Sequence, residues 1–548
     1  MASKPSAIRE FSPHMNPHSS PARRFILASA AAVFLPLFAR AEVSLPSIFS
    51  EHMVLQREQG VPVWGWADAG EEVTVSIGKQ TKTVKAGADG KWTVKLDKLS
   101  AGEPATMTVK GKNTIEIPDV LVGEVWLCSG QSNMAFTVNR ALNFEQEKTT
   151  ADLPKIRTFT VLSGSALEPA EKCAGKWIVC SPETVGTFSA AGYFFGRELQ
   201  AKLNVPVGLV HSSVGGTPIE AWTSWEAQKN LPQIKFIFDS WDKKMAEYDP
   251  QKASANYEKQ KAAWQAAAET AKAEGKKPAN APRAPVDPKM DAHRPANLFN
   301  GKIAPLIPYA IRGAIWYQGE SNADTVERGA AYRTQLPLMI ADWRKRWGSE
   351  FPFAWVQLPD FVAHDSDGWA LVQEAMLKSL KVPHTGMAVA LGLGETHDIH
   401  PKNKQEVGKR LATWALADVY AKKAGKGATG GSATSMGPLF ASQKISGKEV
   451  TVTFIQAAGL AAKDGELKGF TIAGEDKQWK PATAKIVKGS VVVSSPEVAK
   501  PVAVRYAWGS NPEFSLFNAA GLPASPFRTD DWPLAEAAPA AASAPAKQ

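Results

Sequence analysis

A serine hydroxyl becomes a nucleophile when an imidazole within hydrogen-bond reach takes its proton and a carboxylate holds that imidazole in place. This chain carries a serine in a suitable setting: Gly130-Gln131-Ser132-Asn133-Met134 directly follows the apolar run Val120 to Cys128. The run reads as a buried strand, and a small-residue turn at a strand's carboxyl end lifts a side chain into the crevice where open α/β sheets bind ligands. An ordinary strand-to-helix turn with Ser132 as N-cap looks the same in sequence. The base, its acid and the oxyanion donors must come from elsewhere.

Of nine histidines, His14, His18 and His52 fall near the amino terminus or in a first β-rich stretch, so few bases are available. The best is His400, in Glu395-Thr396-His397-Asp398-Ile399-His400-Pro401, which follows a strand pattern and precedes an amphipathic helix. That placement puts His400 on the same sheet edge as Ser132, and Asp398 can orient the imidazole from the same loop. Two segments offer oxyanion donors. Ser212 to Trp222 contains Gly215-Gly216, whose backbone can approach a substrate closely, and Trp316 to Ala323 supplies the carboxamides of Gln318 and Asn322.

Two other chemistries compete for these residues. Glu395, His397, Asp398 and His400, with His364-Asp365 upstream, are the residue types of a metal-dependent hydrolase. That reading leaves Ser132 and the glycine pair without a role. An inactive carbohydrate-binding scaffold, using some of the 18 tryptophans for sugar stacking, is the second alternative. No cofactor or metal is expected for the serine chemistry.

The elements that would position these residues follow from texture along the chain. With 44% hydrophobic and 21% charged residues in 548, the composition is globular and too long for one core. Residues 42–120 alternate in β fashion, as in Val61–Trp66, Glu72–Ile77 and Lys91–Leu96, and read as a small antiparallel β-sandwich. Residues 121–424 alternate apolar strands (Val205–Val210, Ile311–Tyr317, Phe353–Leu358, Met387–Leu391) with helical stretches (Ala190–Leu203, Gln405–Ala421), which predicts a parallel sheet with helices on both faces. Within them, residues 226–292 are rich in Ala, Lys, Glu and Gln without strand signals and read as a helical insertion. After a Gly/Ser-rich joint, residues 425–532 form a second β-rich region, and residues 533–548 an Ala/Pro-rich tail expected to be disordered.

The net charge is +9, of which +4 lies in residues 1–41. There Arg23-Arg24 precedes an apolar stretch and Ala39-Arg40-Ala41, the pattern of a signal peptide with a small-x-small cleavage site. Export to the periplasm or beyond is expected, and the paired arginines also allow the twin-arginine route. Many of the remaining lysines fall between Lys243 and Lys302 as a solvated helical face, so no nucleic-acid partner is expected, nor a membrane span in the mature chain. Cys173 and Cys180 can close a small loop, whereas Cys128 reads as a small buried hydrophobe.

The blocks Gly130 to Met134, Gly215 to Trp222, Trp316 to Ala323 and Asp398-Ile399-His400-Pro401, in this order, resemble the sialate O-acetylesterase family, with Arg294 to Gly301 also in its style. The resemblance extends over about Leu45 to Trp532. It implies a flavodoxin-like, three-layer SGNH-hydrolase domain flanked by small β-sandwich-like domains, acting on an O-acetylated carbohydrate. Acetylated sialic acid is the implied substrate, with an acetylxylan-type polysaccharide as the alternative. It further implies Ser132 as nucleophile, His400 as base, and an oxyanion hole of the Ser132 and Gly216 (or Gly215) N–H groups with Gln318. The Asp-x-His spacing departs from the commoner Asp-x-x-His of the wider group. Glu320 therefore rivals Asp398 as the acid that orients His400.

Overall fold

The computed structural model describes residues 42–421 and 434–534. The expected leader, most of the joint and the expected tail lie outside the described residues. The three alternating runs become strands at the expected places, β2 (Val61–Trp66), β3 (Glu72–Ile77) and β5 (Lys91–Leu96), joined by β1 (Val54–Gln56), β4 (Gln80–Lys85) and β6 (Ala105–Lys110). In β2 the alternation buries Val61 and Val63 in turn, so the period-two pattern fixes which face meets the core.

Next comes β7 (Thr114–Gly130), a continuous strand of 17 residues. Its first part pairs antiparallel with β6, and its second part enters a parallel sheet. The boundary expected at residue 120 falls inside this strand. The remaining sheet strands are β8 (Ile156–Thr160), β9 (Trp177–Val179), β10 (Val207–Ser213), β11 (Gly313–Tyr317), β12 (Phe353–Gln357) and β13 (Thr385–Val389), in the order β13-β12-β11-β7-β10-β8-β9. All neighbours are parallel except β9 against β8. Strand order reverses at β7, and such a switch point opens a crevice at the strands' carboxyl ends.

The helices in the order used below are α1 (Ser132–Ala135), α2 (Ala190–Leu203), α3 (Lys235–Glu247), α4 (Pro250–Ala273), α5 (Val326–Trp347), α6 (Ser366–Ser379) and α7 (Lys404–Trp414). Alternate residues of β7 serve two cores. Val125 and Leu127 join Trp316, Tyr332, Leu336 and Trp343 on the α5/α6 face. Trp126 and Cys128 join Phe195, Leu411 and Trp414 on the α2/α7 face. A strand buried on both faces must be apolar throughout, which is why Val120 to Cys128 shows no alternation. Each large apolar side chain so buried contributes about 1.5–3 kcal/mol. Caps set the helix starts: the Ser189 hydroxyl accepts from Gly192 N–H and the Asn403 side chain from Glu406 N–H.

The expected insertion is helical, as α3 and α4. Beyond residue 434, Leu439–Ser446, Glu449–Ile455, Thr483–Val487 and Ser490–Ser494 form one antiparallel sheet, and Phe470–Ala473 pairs with Ala503–Tyr506 in another. All three cysteines are buried and free; Cys173 and Cys180 are not joined. Among the described residues, no helix is long and apolar enough to cross a membrane.

Candidate active site

Strand register gathers the sequence-predicted blocks. Ser213 of β10 and Tyr317 of β11 both pair with Gly130 of β7, so the three loops that follow leave the sheet at one level. The turn at Gly130 is closed by backbone bonds from Gln131 N–H to the Tyr317 carbonyl (2.9 Å) and from Val214 N–H to the Gly130 carbonyl (3.2 Å). Gly130 has φ +140°, and a β-carbon there would lie 2.1 Å from the Tyr317 carbonyl oxygen, so only glycine fits. Ser132 is the first residue of α1, with Gln131 as N-cap; the expected alternative of Ser132 as a capping residue does not occur. Across the crevice, a β-carbon on Gly215 would sit 3.4 Å from the Ser132 β-carbon, and Gly216 is exposed with φ +70°.

His400 lies in the loop between β13 and α7, with its side chain 30% exposed, and its imidazole thus stays reachable from the crevice. Asp398 Oδ1 accepts the His400 backbone N–H at 2.9 Å and stands 3.8 Å from His400 Nδ1, too long for a hydrogen bond. Among the described residues, no hydrogen bond joins His400 to Ser132. Burial depresses the His400 pKa below 6.5; Asp398 opposes the shift, and Lys404 and Arg140 add to it. The neutral imidazole is thereby favoured, the form a general base requires.

Glu320 takes a different position from the one expected of an acid that orients His400. It is buried, and its Oε1 accepts from Asn133 Nδ2 at 2.6 Å, while Oε2 has no hydrogen-bond partner among the described residues. The same Asn133 amide donates to the Ile399 carbonyl (2.9 Å), and Asn133 Oδ1 accepts from Lys404 Nζ (2.7 Å), which also donates to the Pro401 carbonyl (2.6 Å). Asn133 therefore ties the serine turn to the histidine loop and separates a buried carboxylate from a buried ammonium. Burial pushes Glu320 up and Lys404 down to about 7, each partly offset by the other's charge. Sequence reasoning missed Asn133 and Lys404, although one stands beside the serine and the other four residues after the histidine.

Gln318 and Asn322, expected as oxyanion donors, are fully buried, and their amides are committed to protein partners. Gln318 Nε2 donates to Gln131 Oε1 (3.2 Å), the Thr217 carbonyl (3.2 Å) and Asn322 Oδ1 (2.8 Å). Asn322 Nδ2 donates to Glu220 Oε2 at 3.0 Å, and its Oδ1 also accepts from Ile219 N–H at 2.9 Å. Through these bonds they lock the three loops to one another. The metal-ligand cluster is not assembled: among the described residues, no three His, Cys, Asp or Glu side chains converge at metal-binding range.

Residues 122–234 and 293–417 match the carbohydrate esterase family of sialic acid-specific acetylesterases. The sialate O-acetylesterase of Rattus norvegicus is 30% identical over 536 residues, covering 88% of this chain and 93% of the relative. The chain belongs to the sialate O-acetylesterase family. The Homo sapiens member is 30% identical over 535 residues, covering 88% of this chain and 91% of the relative. A crystal structure of a carbohydrate acetylesterase from Xanthomonas citri is 35% identical, superposes with a TM-score of 0.75 and covers 89% of this chain and 100% of its own. Membership makes this protein a carboxylic ester hydrolase. The family match breaks between residues 234 and 293, the span that contains α3 and α4.

Proposed function

We propose that this esterase removes O-acetyl groups from a saccharide through an acetyl-enzyme on Ser132, on an SGNH-type scaffold, after export through its amino-terminal leader. The observation that carries the reading is the common register of Ser213, Gly130 and Tyr317, which brings the serine turn and the Gly215-Gly216 loop to one sheet edge. In this mechanism the Ser132 hydroxyl attacks the acetyl carbonyl as His400 takes its proton. The oxyanion is held by the backbone N–H groups of Ser132 and Gly216 or Gly215, each such donor contributing about 2.7–4 kcal/mol in the transition state. The sugar alkoxide leaves with the proton from His400, and water then releases acetate by the same path reversed.

Asp398 is the acid closest to His400 and is assigned its orientation; the 3.8 Å gap closes to a hydrogen bond when substrate fills the crevice. Sialic acid is the sugar in the mammalian relatives' name, and acetylated xylan-type saccharides present the same ester. The test is acetate release from O-acetylated sugars together with labelling by an organophosphate. Wild type is labelled once per chain and Ser132→Ala is neither labelled nor active; labelling that survives Ser132→Ala refutes the assignment.

A further inference from the structure

The segment that interrupts the family match contributes a wall to the crevice. A pocket of about 340 Å³ is lined by Gly216 and Ser321, from two loops flanking the serine turn, together with Trp241 of α3, His293, Asp324 and Arg328. Two of its lining residues connect it to the serine turn. Gly215, next to Gly216, abuts the Ser132 side chain, and Ser321 N–H donates to Gln131 Oε1 at 3.3 Å. Trp241 is half-buried, packed with the small cluster of Ile234, Ile237 and Ala331 and with Lys244 Nζ 4.2 Å from its ring centroid over one face, so its ring is held in place as part of the pocket wall. An anchored aromatic ring with polar groups around it is the arrangement that receives the apolar face of a pyranose.

The charges around the pocket cancel locally. Arg328 Nη2 meets Glu220 Oε1 at 2.8 Å and its Nε meets Asp324 Oδ1 at 3.1 Å. Asp291 accepts from His293 Nδ1 at 2.7 Å and from Lys244 Nζ at 2.8 Å. A sugar carboxylate would have to displace one of these acids to reach a cation, leaving that acid unpaired. A neutral ring uses the same groups as hydrogen-bonding rim without breaking any pair.

We infer that this pocket is the saccharide subsite, that Trp241 of the inserted helix is its stacking platform, and that the sugar it seats is uncharged. The inference rests on the esterase reading above and adds the substrate class. Its test is steady-state kinetics of wild type, Trp241→Ala and Trp241→Phe on three substrates: a neutral acetylated xylo-oligosaccharide, 9-O-acetylated N-acetylneuraminic acid and 4-nitrophenyl acetate. Trp241→Ala is expected to raise KM for the neutral oligosaccharide about tenfold with kcat nearly unchanged, as loss of one stacked ring implies. Trp241→Phe recovers most of that loss. Hydrolysis of the aryl acetate, which reports that the variant is folded and its serine active, stays within about twofold of wild type. Wild type prefers the neutral sugar to the anionic one in kcat/KM. Equal losses on aryl acetate and oligosaccharide, no effect of Trp241→Ala, or preference for the anionic sugar overturns the subsite. Wild type inert on all three substrates overturns the esterase reading itself, and the subsite with it.

Discussion

Replacing Asn133 with alanine tests whether the buried carboxamide holds the serine turn and the histidine loop together. The side chain makes three hydrogen bonds: to Glu320 Oε1 at 2.6 Å, from Lys404 Nζ at 2.7 Å and to the Ile399 carbonyl at 2.9 Å. The first two involve groups of opposite charge, and a hydrogen bond to a charged group contributes about 1.5–3 kcal/mol. The third contributes about 1 kcal/mol. Water entering the vacated space recovers part of this sum, so the expected loss is about 3–5 kcal/mol. Urea unfolding with an unchanged slope gives the number, and amide hydrogen exchange at residues 399–404 locates it. Neutralising both charges in Glu320→Gln/Lys404→Met is expected to cost less than Asn133→Ala, because no buried charge is stranded. A loss below about 1 kcal/mol for Asn133→Ala, or unchanged exchange in the histidine loop, refutes the reasoning.

Further expectations concern the same crevice. Because the folded His400 holds its proton less readily than an exposed histidine, the acid limb of kcat/KM is expected below pH 6.5. The same group makes stability fall as pH drops through 6.5, since the unfolded chain then binds the extra proton. Removing a neighbouring positive charge in Lys404→Met should move the limb upward; a limb already above 6.5 in wild type contradicts the burial argument. Asp398→Asn should reduce turnover more than Glu320→Gln, and the reverse order of losses would transfer the orienting role to Glu320. Gly130→Ala forces a β-carbon to within 2.1 Å of the Tyr317 carbonyl oxygen. It should lower stability by about 2–5 kcal/mol in urea, and a near-neutral result would mean the turn can rearrange. Exhaustive chelation should leave acetate release intact, whereas abolition restored by added metal would revive the metal-dependent reading.

What could be read in advance was what the chain encodes locally. Val61–Trp66, Glu72–Ile77 and Lys91–Leu96 alternate with period two, and each forms a strand over those residues. Ala190–Leu203 likewise forms one helix, after a serine cap and before Asn204 in the left-handed conformation. The serine and histidine loops were found because strand ends and small residues mark them. Lys404 was not found, because a lysine in the first turn of an amphipathic helix ordinarily faces water. Its burial is dictated by Asn133 and Glu320, 271 and 84 residues earlier in the chain. The partners of Gln318 and Asn322 are hidden for a related reason: a carboxamide in a loop after a strand looks available until Glu220, Tyr332 and Gln335 are known to reach it. The insertion was recognised by composition, but composition does not say which face of α3 carries Trp241 to the pocket beside Gly216.

The 17-residue strand β7 gives the amino-terminal β region a part in holding the serine turn that its distance in sequence conceals. Antiparallel bonds to β6 hold one end of this spar, and the serine turn hangs from the other. A slip of one residue anywhere along it would exchange the two cores and carry Gly130 out of line with Ser213 and Tyr317. The two regions are therefore expected to melt as one cooperative unit, and a shortened chain starting at residue 121 would lack the anchored half of the strand that sets the serine's height in the crevice.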